Sequence, residues 1–418
     1  MIKTSQRSKL ALGILAAAMA VPAVSQAALV EDSKASLELR NMYLNRDFRD
    51  GVGPLGNSYG ELWGQGFIGK FESGYTEGTV GVGIDAIGLV GIKLDSGGGR
   101  GEGNMMALDT KNNPVNESAQ LGLTAKARVS KSTLHVGTLQ PVLPVVQFNN
   151  TRLLPGTYTG GMITSQEVAG LTLHGGRLTE YSMRDSTNSQ EFGRDIDNFD
   201  FVGGSYVFNP QLTASYYYGD YENGYKQHFA GLVHSLPLGE GLSLRSDLRY
   251  FNSKEQGDKV LRASSGEIDN NMFQGMFTLG MGAHKVGAGF QRLSGDGAFP
   301  FVAGADPFSV NLSTYWIFNR QEQDAWQVRY DYDFASMGIP GLSFMTRYVY
   351  GYNIEALNGS YNDGKDWERD TDIMYTLQDG ALKGLRFHLR NVTYRAESRV
   401  ARDVDENRVI VSYTLPLL

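Results

Sequence analysis

Residues 326–334 read WQVRYDYDF. Trp326, Val328, Tyr330, Tyr332 and Phe334 alternate with Gln327, Arg329, Asp331 and Asp333. Side chains of a strand point to opposite faces in turn, so this segment has one aromatic face and one charged face. The same period recurs on both sides of it. Val409, Val411, Tyr413, Leu415 and Leu417 oppose Arg408, Ile410, Ser412, Thr414 and Pro416. Leu385, Phe387 and Leu389 oppose Arg386, His388 and Arg390. Leu242, Leu244, Leu248 and Tyr250 oppose Ser243, Arg245, Asp247 and Arg249. Leu121, Leu123, Ala125 and Ala127 oppose Gly122, Thr124, Lys126 and Arg128. Helical periodicity is weak after residue 28, so the chain reads as all-β.

Alternation alone fits a soluble sandwich as well as a membrane barrel. Three further features favour the barrel. The segments run about ten residues, the length a tilted strand needs to cross a bilayer. Aromatics cluster near segment ends, at Tyr43, Trp63, Phe71, Phe208, Tyr221, Tyr250, Phe318, Trp326, Phe334, Tyr352, Trp367, Tyr375 and Tyr413, as interfacial girdles do. Connections alternate between tight ones (208–211, 236–241, 335–341, 378–383) and long polar ones (93–117, 182–198, 254–270, 353–365, 396–406), as periplasmic turns and outer loops do.

The N-terminus reads as an export signal over 1–27, leaving a single barrel domain over 28–418. Lys3, Arg7 and Lys9 precede an apolar run, and Ser25, Gln26 and Ala27 supply the small residues of a cleavage site. The 418 residues include no cysteine, which removes disulfides, thiolate metal sites and a cysteine nucleophile. A formal charge of −7 without a long basic run argues against a nucleic-acid partner. The six histidines show no metal spacing, and no Gly-x-Ser-x-Gly elbow is present. No cofactor and no enzymatic activity are expected. The location expected is the bacterial outer membrane, with lipid as the barrel's partner.

Nineteen candidate strands emerge: 36–45, 61–72, 79–92, 118–128, 133–140, 158–165, 171–181, 199–208, 212–221, 225–235, 242–253, 271–280, 284–293, 309–318, 326–334, 343–352, 366–377, 384–395 and 407–418. Single-chain bacterial barrels have an even number. Dropping 309–318 makes 294–325 one long outer loop and leaves an 18-stranded, antiparallel up-and-down barrel. Dropping 158–165 instead would put the long 182–198 connection on the periplasmic side.

Several stretches, in order along the chain, resemble the OprD/Occ family of outer-membrane carboxylate channels. They are 37–45 (LELRNMYLN), 137–155 (GTLQPVLPVVQFNNTRLLP), 165–178 (SQEVAGLTLHGGRL), 326–334 (WQVRYDYDF), 338–348 (GIPGLSFMTRY), 367–372 (WERDTD) and 408–418 (RVIVSYTLPLL). The resemblance implies an eighteen-stranded barrel, monomeric or weakly trimeric. Infolded loops would narrow its pore, a basic ladder would line it, and its substrates would carry a carboxylate. The glycine-rich stretch 78–103 looks more like the aromatic- and cyclic-carboxylate (benzoate-porin-like) subgroup than the basic-amino-acid one.

On the strand parity, the lumen face carries Arg40, Lys126, Arg128, Arg245, Arg249, Arg329, Arg347, Arg386, His388, Arg390 and Arg408. An Arg or Lys facing lipid at the midplane costs roughly 2–4 kcal/mol, so mid-strand charges are expected inside. Such a row offers an anion successive shallow positions, and the arginine fork takes a carboxylate in two parallel bonds. The competing reading pairs each arginine with a wall acid such as Glu38, Asp247, Asp331 or Asp333. Loop 140–156 carries Pro141, Pro144 and Pro155, which cannot continue a ladder. It resembles the pore-folding loop of the family, with Asn149 and Arg152 as candidates for the narrowest point. Loop 294–325 adds Asp296 and Asp306. The functional expectation is a selective diffusion channel for small carboxylates, aromatic or cyclic ones. The alternatives are a non-specific porin, which would give large unselective currents, and an outer-membrane hydrolase barrel.

Overall fold

The structure is a computed structural model that describes residues 31–49, 51–54, 56–96, 100–101, 105–193 and 195–418. The signal expected over 1–27 lies outside the described residues. Eighteen long strands form the wall. They are β1 (Lys34–Phe48), β2 (Tyr59–Glu72), β3 (Val80–Asp95), β4 (Glu117–Val129), β5 (Ser132–Leu139), β6 (Thr157–Ser165), β7 (Leu171–Ser182), β8 (Phe199–Asn209), β9 (Leu212–Tyr221), β10 (Tyr225–Gly239), β11 (Leu242–Glu255), β12 (Asp269–Met281), β13 (His284–Asp296), β14 (Asp324–Asp333), β15 (Leu342–Ile354), β16 (Gly364–Thr376), β17 (Arg386–Ala396) and β18 (Val404–Pro416). Each pairs antiparallel with its sequence neighbours. β18 closes on β1, from Ser36 opposite Pro416 to Phe48 opposite Val404, so no edge is left open.

The even count is therefore met as expected. Residues 158–165 lie in β6, and 309–318 form no strand. Several boundaries move: β10 runs on to Gly239, so the connection read over 236–241 shrinks to two residues. Two-residue turns at 130–131, 210–211, 240–241 and 282–283 mark one end of the barrel. Gly241 (φ 69°) and Gly282 (φ 58°) take the left-handed backbone that such tight turns require. The long connections, at the other end, form the outer side.

The register fixes the two faces. Arg408 stands opposite Leu44 and Arg390, and Val409 opposite Tyr43 and Leu389. Arg408 is buried inside, while Val409, Leu389, Val328 and Leu121 are exposed on the outer wall, where lipid lies. Two of the aromatics expected in a girdle are not there. Tyr221 faces inward and is buried, and Phe318 is buried in an infolded loop. Charges on the outer face also break the expectation that mid-strand charges face water. Arg177, beside the buried Leu178, points outward and pairs with Asp200 (2.6 Å). Arg369, on another strand, alternates with the buried, inward Glu368 and Asp370, so it points outward, where its Nη2 donates to Asn391 and Thr393.

The apolar core lies inside the lumen. Two outer loops fold back, 140–156 and 297–323, and pack on inward-facing apolar side chains. Leu153 and Leu154 sit on Met42, Leu44, Leu62, Ile68 and Leu89. Phe299 and Val302 sit among Phe229, Phe251, Met272 and Leu293. Each such aliphatic side chain contributes about 1.5–3 kcal/mol by leaving water. The first loop comes so close to β2 that a Cβ at Gly64 would meet Leu153 Cδ2 at 2.7 Å, and one at Gly66 would meet the Leu153 carbonyl at 2.9 Å.

Candidate functional site

The infolded loops meet in the lumen as a short antiparallel pair, Ala305 opposite Phe148 and Asp306 opposite Gln147. Asn149 Nδ2 donates to Asp306 Oδ1 at 2.6 Å. A third loop, 183–198, adds Arg184, whose Nη1 donates to Thr151 Oγ1 at 2.7 Å. A chamber of about 270 Å³ opens where the three loops meet, and its charged walls are Arg152, Arg184 and Asp306. Arg184 Nε is shielded from water and has no partner. Burial, with Arg408 close by, pulls the Arg152 guanidinium below its ordinary value. Burial pushes the Asp306 carboxyl up to about 6, against the pull of Arg184 and Arg152. Asp296 does not join this group. It is exposed at the end of β13, opposite Asp269.

The register places all eleven members of the expected basic ladder on the lumen face. They are not a row of free cations. Arg40 bonds Glu38 (Nε to Oε1 2.8 Å), and Lys126 bonds Asp85 (2.6 Å). Arg249 takes Asp247 in two bonds of 2.9 Å, and Arg329 takes Asp331 at 2.6 and 2.7 Å. Arg390 takes Asp372 at 2.6 Å twice, with His388 also beside Asp372 (3.4 Å). Arg347 pairs with Asp370 (2.6 Å) and Arg408 with Glu406 (2.5 Å).

Depth divides the ladder in two. Arg40, Lys126, Arg249, Arg347 and Arg408 are nearly covered and hold structure. Arg40 donates to the Arg152 carbonyl (2.8 Å) and Arg347 to the Leu312 carbonyl (2.8 Å). Arg408 reaches both infolded loops, at the Thr151 (3.3 Å) and Thr314 (3.0 Å) carbonyls. Its side chain is 1% exposed, so no solute touches it. Arg245, Arg329 and Arg390 are open to the lumen (54%, 38% and 24%), and Arg128 and Arg386 are exposed. Arg128, Arg245 and Arg386 sit near the short-turn ends of their strands, and Arg329 and Arg390 stand further in, so the reachable track runs from mid-strand toward the periplasmic side.

A closed barrel narrowed from within by its own loops is the architecture of known outer-membrane channels. The model of the outer membrane porin, OprD family, matches residues 27–417. The chain belongs to the OprD family. As an OprD-family porin it is an outer-membrane channel rather than an enzyme. Porin-like protein GalP of Pseudomonas putida is 35% identical to it over 412 residues, 97% of either chain. The crystal structure of OccK9 (OpdG) of Pseudomonas aeruginosa superposes with a TM-score of 0.88 at 39% identity, covering 93% of this chain and all of that one. The structure of Pseudomonas aeruginosa OpdK with vanillate gives 0.86 at 38% identity with the same coverage.

Two parts of this OprD-family site escape the sequence reading. One is an inward row of acids on β16: Asp366, Glu368, Asp370 and Asp372. Glu368 accepts from the Tyr315 and Trp316 amides (2.8 Å each), and Asp366 holds Arg320 (2.5 Å). The row thus fastens the second infolded loop. Its signal, an acid at every second residue over 366–372, is present in the sequence. The other is Arg184, one of several charges in a long loop, with no periodicity to mark it.

Proposed function

We propose that this porin passes small carboxylates, in particular ones with an aromatic or cyclic body, down a gradient through the eyelet chamber and along the basic track. The observation that carries the proposal is the chamber between the infolded loops, where Arg152 and Arg184 outnumber Asp306 and one buried guanidinium nitrogen lacks a partner. A unit charge pair at ~4 Å is worth about 1 kcal/mol in bulk water and about 4 kcal/mol at an effective dielectric of ~20. That range favours an anion without trapping it, as conduction requires. Below the chamber, Arg329 and Arg390 each spend Nε and Nη2 on an acid and keep Nη1 for a passing solute. The vanillate in the OpdK structure is an aromatic carboxylate, which supports the same class here.

The test is flux of labelled benzoate, a straight-chain carboxylate and a neutral sugar into proteoliposomes. Arg184→Gln should lower benzoate flux by at least about fivefold, the loss of one charged hydrogen bond, and leave sugar leakage unchanged. Equal loss for all three solutes, or none, would instead favour a general porin.

A further inference from the structure

We infer that the outer vestibule is a second binding site, which takes the ring of a ring-bearing carboxylate before its charged end enters the eyelet chamber. The inference rests on the carboxylate reading above and adds a separate place for the uncharged part of the molecule. The vestibule is a cavity of about 760 Å³ walled by the loops at the outer mouth. Phe192, Tyr221, Phe299, Phe301, Trp316 and Tyr361 line it, an aromatic concentration at the entrance to an aqueous channel.

Its charge differs in kind from that of the chamber below. The charged side chains of its wall are Arg320 and Glu355, one of each sign. Arg320 is already committed: it bonds Asp366 and Tyr394, and its guanidinium lies 4.0 Å over the Trp316 ring. The vestibule therefore selects by shape and aromatic contact, and the chamber by charge. Phe192, Tyr221 and Phe299 back it as buried rings, Phe192 meeting Tyr221 edge to face at 5.3 Å and 84°, and Phe301, Trp316 and Tyr361 keep part of their surface open for a further ring. Trp316 is held in place through its backbone amide, which donates to Glu368 (2.8 Å). Its indole Nε1 is shielded from water and meets no protein acceptor. Phe301 lines both cavities, so a ring in the vestibule lies next to the chamber that would receive its carboxylate.

Tryptophan emission of the full barrel in detergent reads this site. Trp63, Trp326 and Trp367 lie on the lipid-facing side of their strands, and Trp316 alone of the four is in the vestibule. Benzoate should change the emission saturably, and hexanoate should need at least about fivefold more, the margin of one aromatic contact. Trp316→Phe should abolish the signal. Tyr361→Ala, on an outer loop away from the chamber, should weaken benzoate about two- to tenfold. Arg184→Gln should leave the midpoint within about twofold, well under the loss of a charged hydrogen bond. Equal midpoints for benzoate and hexanoate, an unsaturable response, an unchanged midpoint in Tyr361→Ala, or loss of the signal in Arg184→Gln would each overturn the inference. Should the titration behave as expected while Arg184→Gln leaves benzoate flux intact, the carboxylate reading of the chamber fails and the vestibule site stands.

Discussion

Asp306 is the acid that the chamber sets against two arginines, and its loop places it where water is scarce. With its carboxyl pushed up to about 6 by burial, it is ionised at pH 7.5 and mostly neutral at pH 5. Falling pH therefore removes one negative charge from the chamber while Arg152 and Arg184 stay charged. Anion preference, measured as the reversal potential across a salt gradient, should rise as pH drops through 6. Asp306→Asn should be locked in the more anion-preferring state and lose the step. A step that persists in Asp306→Asn would assign it to another group. Stability runs the same way. The native carboxyl binds its proton more tightly than an unfolded aspartate, so this group's contribution is full below about pH 4 and fades as pH rises through 6.

At the scale of elements, the question is what keeps two long loops inside a water-filled barrel. Apolar packing accounts for Leu153 and Leu154 on β1 to β3, but the rims of the loops are polar and need partners. Wall arginines supply donors to their carbonyls, and the β16 acids supply acceptors to their amides. Arg408 donates to a carbonyl of each loop, Thr151 in the first and Thr314 in the second. Arg408→Ala should therefore loosen the constriction, giving higher single-channel conductance and more open-channel noise. It also removes one of the guanidiniums that hold the buried Glu406, at a cost of about 3 kcal/mol in unfolding free energy. Arg408→Lys keeps the charge but cannot span two carbonyls and an acid, so it should recover stability better than quietness. Wild-type conductance and noise in Arg408→Ala would show that the loops hold themselves.

At the scale of the molecule, strength and selectivity are separated. The wall is closed by backbone ladders that run through all eighteen strands, and the strand pairs of the two infolded loops, 140–156 and 297–323, form a separate small sheet. Deleting 297–306, which carries Asp306 and much of the vestibule wall, should raise conductance and weaken benzoate selectivity. The barrel should keep its β-sheet circular dichroism and its resistance to unfolding in detergent. Loss of the folded barrel on that deletion would mean that the loop is part of what closes it.

Nineteen candidate strands were legible, and the closure rule for single-chain barrels reduced them to eighteen. The sequence by itself determined the alternation of those strands and the face on which each ladder residue stands. Those follow from the pleat, a local period of two that any stretch of ten residues displays. It was the same parity that placed Arg408 inside and Val409 outside. The sequence also carried the acid row of β16, since the alternation that marks Arg386, His388 and Arg390 marks Asp366, Glu368, Asp370 and Asp372 as well. Only the tertiary structure decided which cations a solute can reach. Arg408 and Arg390 look alike along the chain, yet one is 1% exposed and the other 24%. The difference comes from Thr151 and Thr314, which return to Arg408 from 257 and 94 residues away. Facing is set by neighbours in sequence, whereas burial is set by whatever loop folds back over the site. Arg184, in such a loop, therefore had nothing local to announce it.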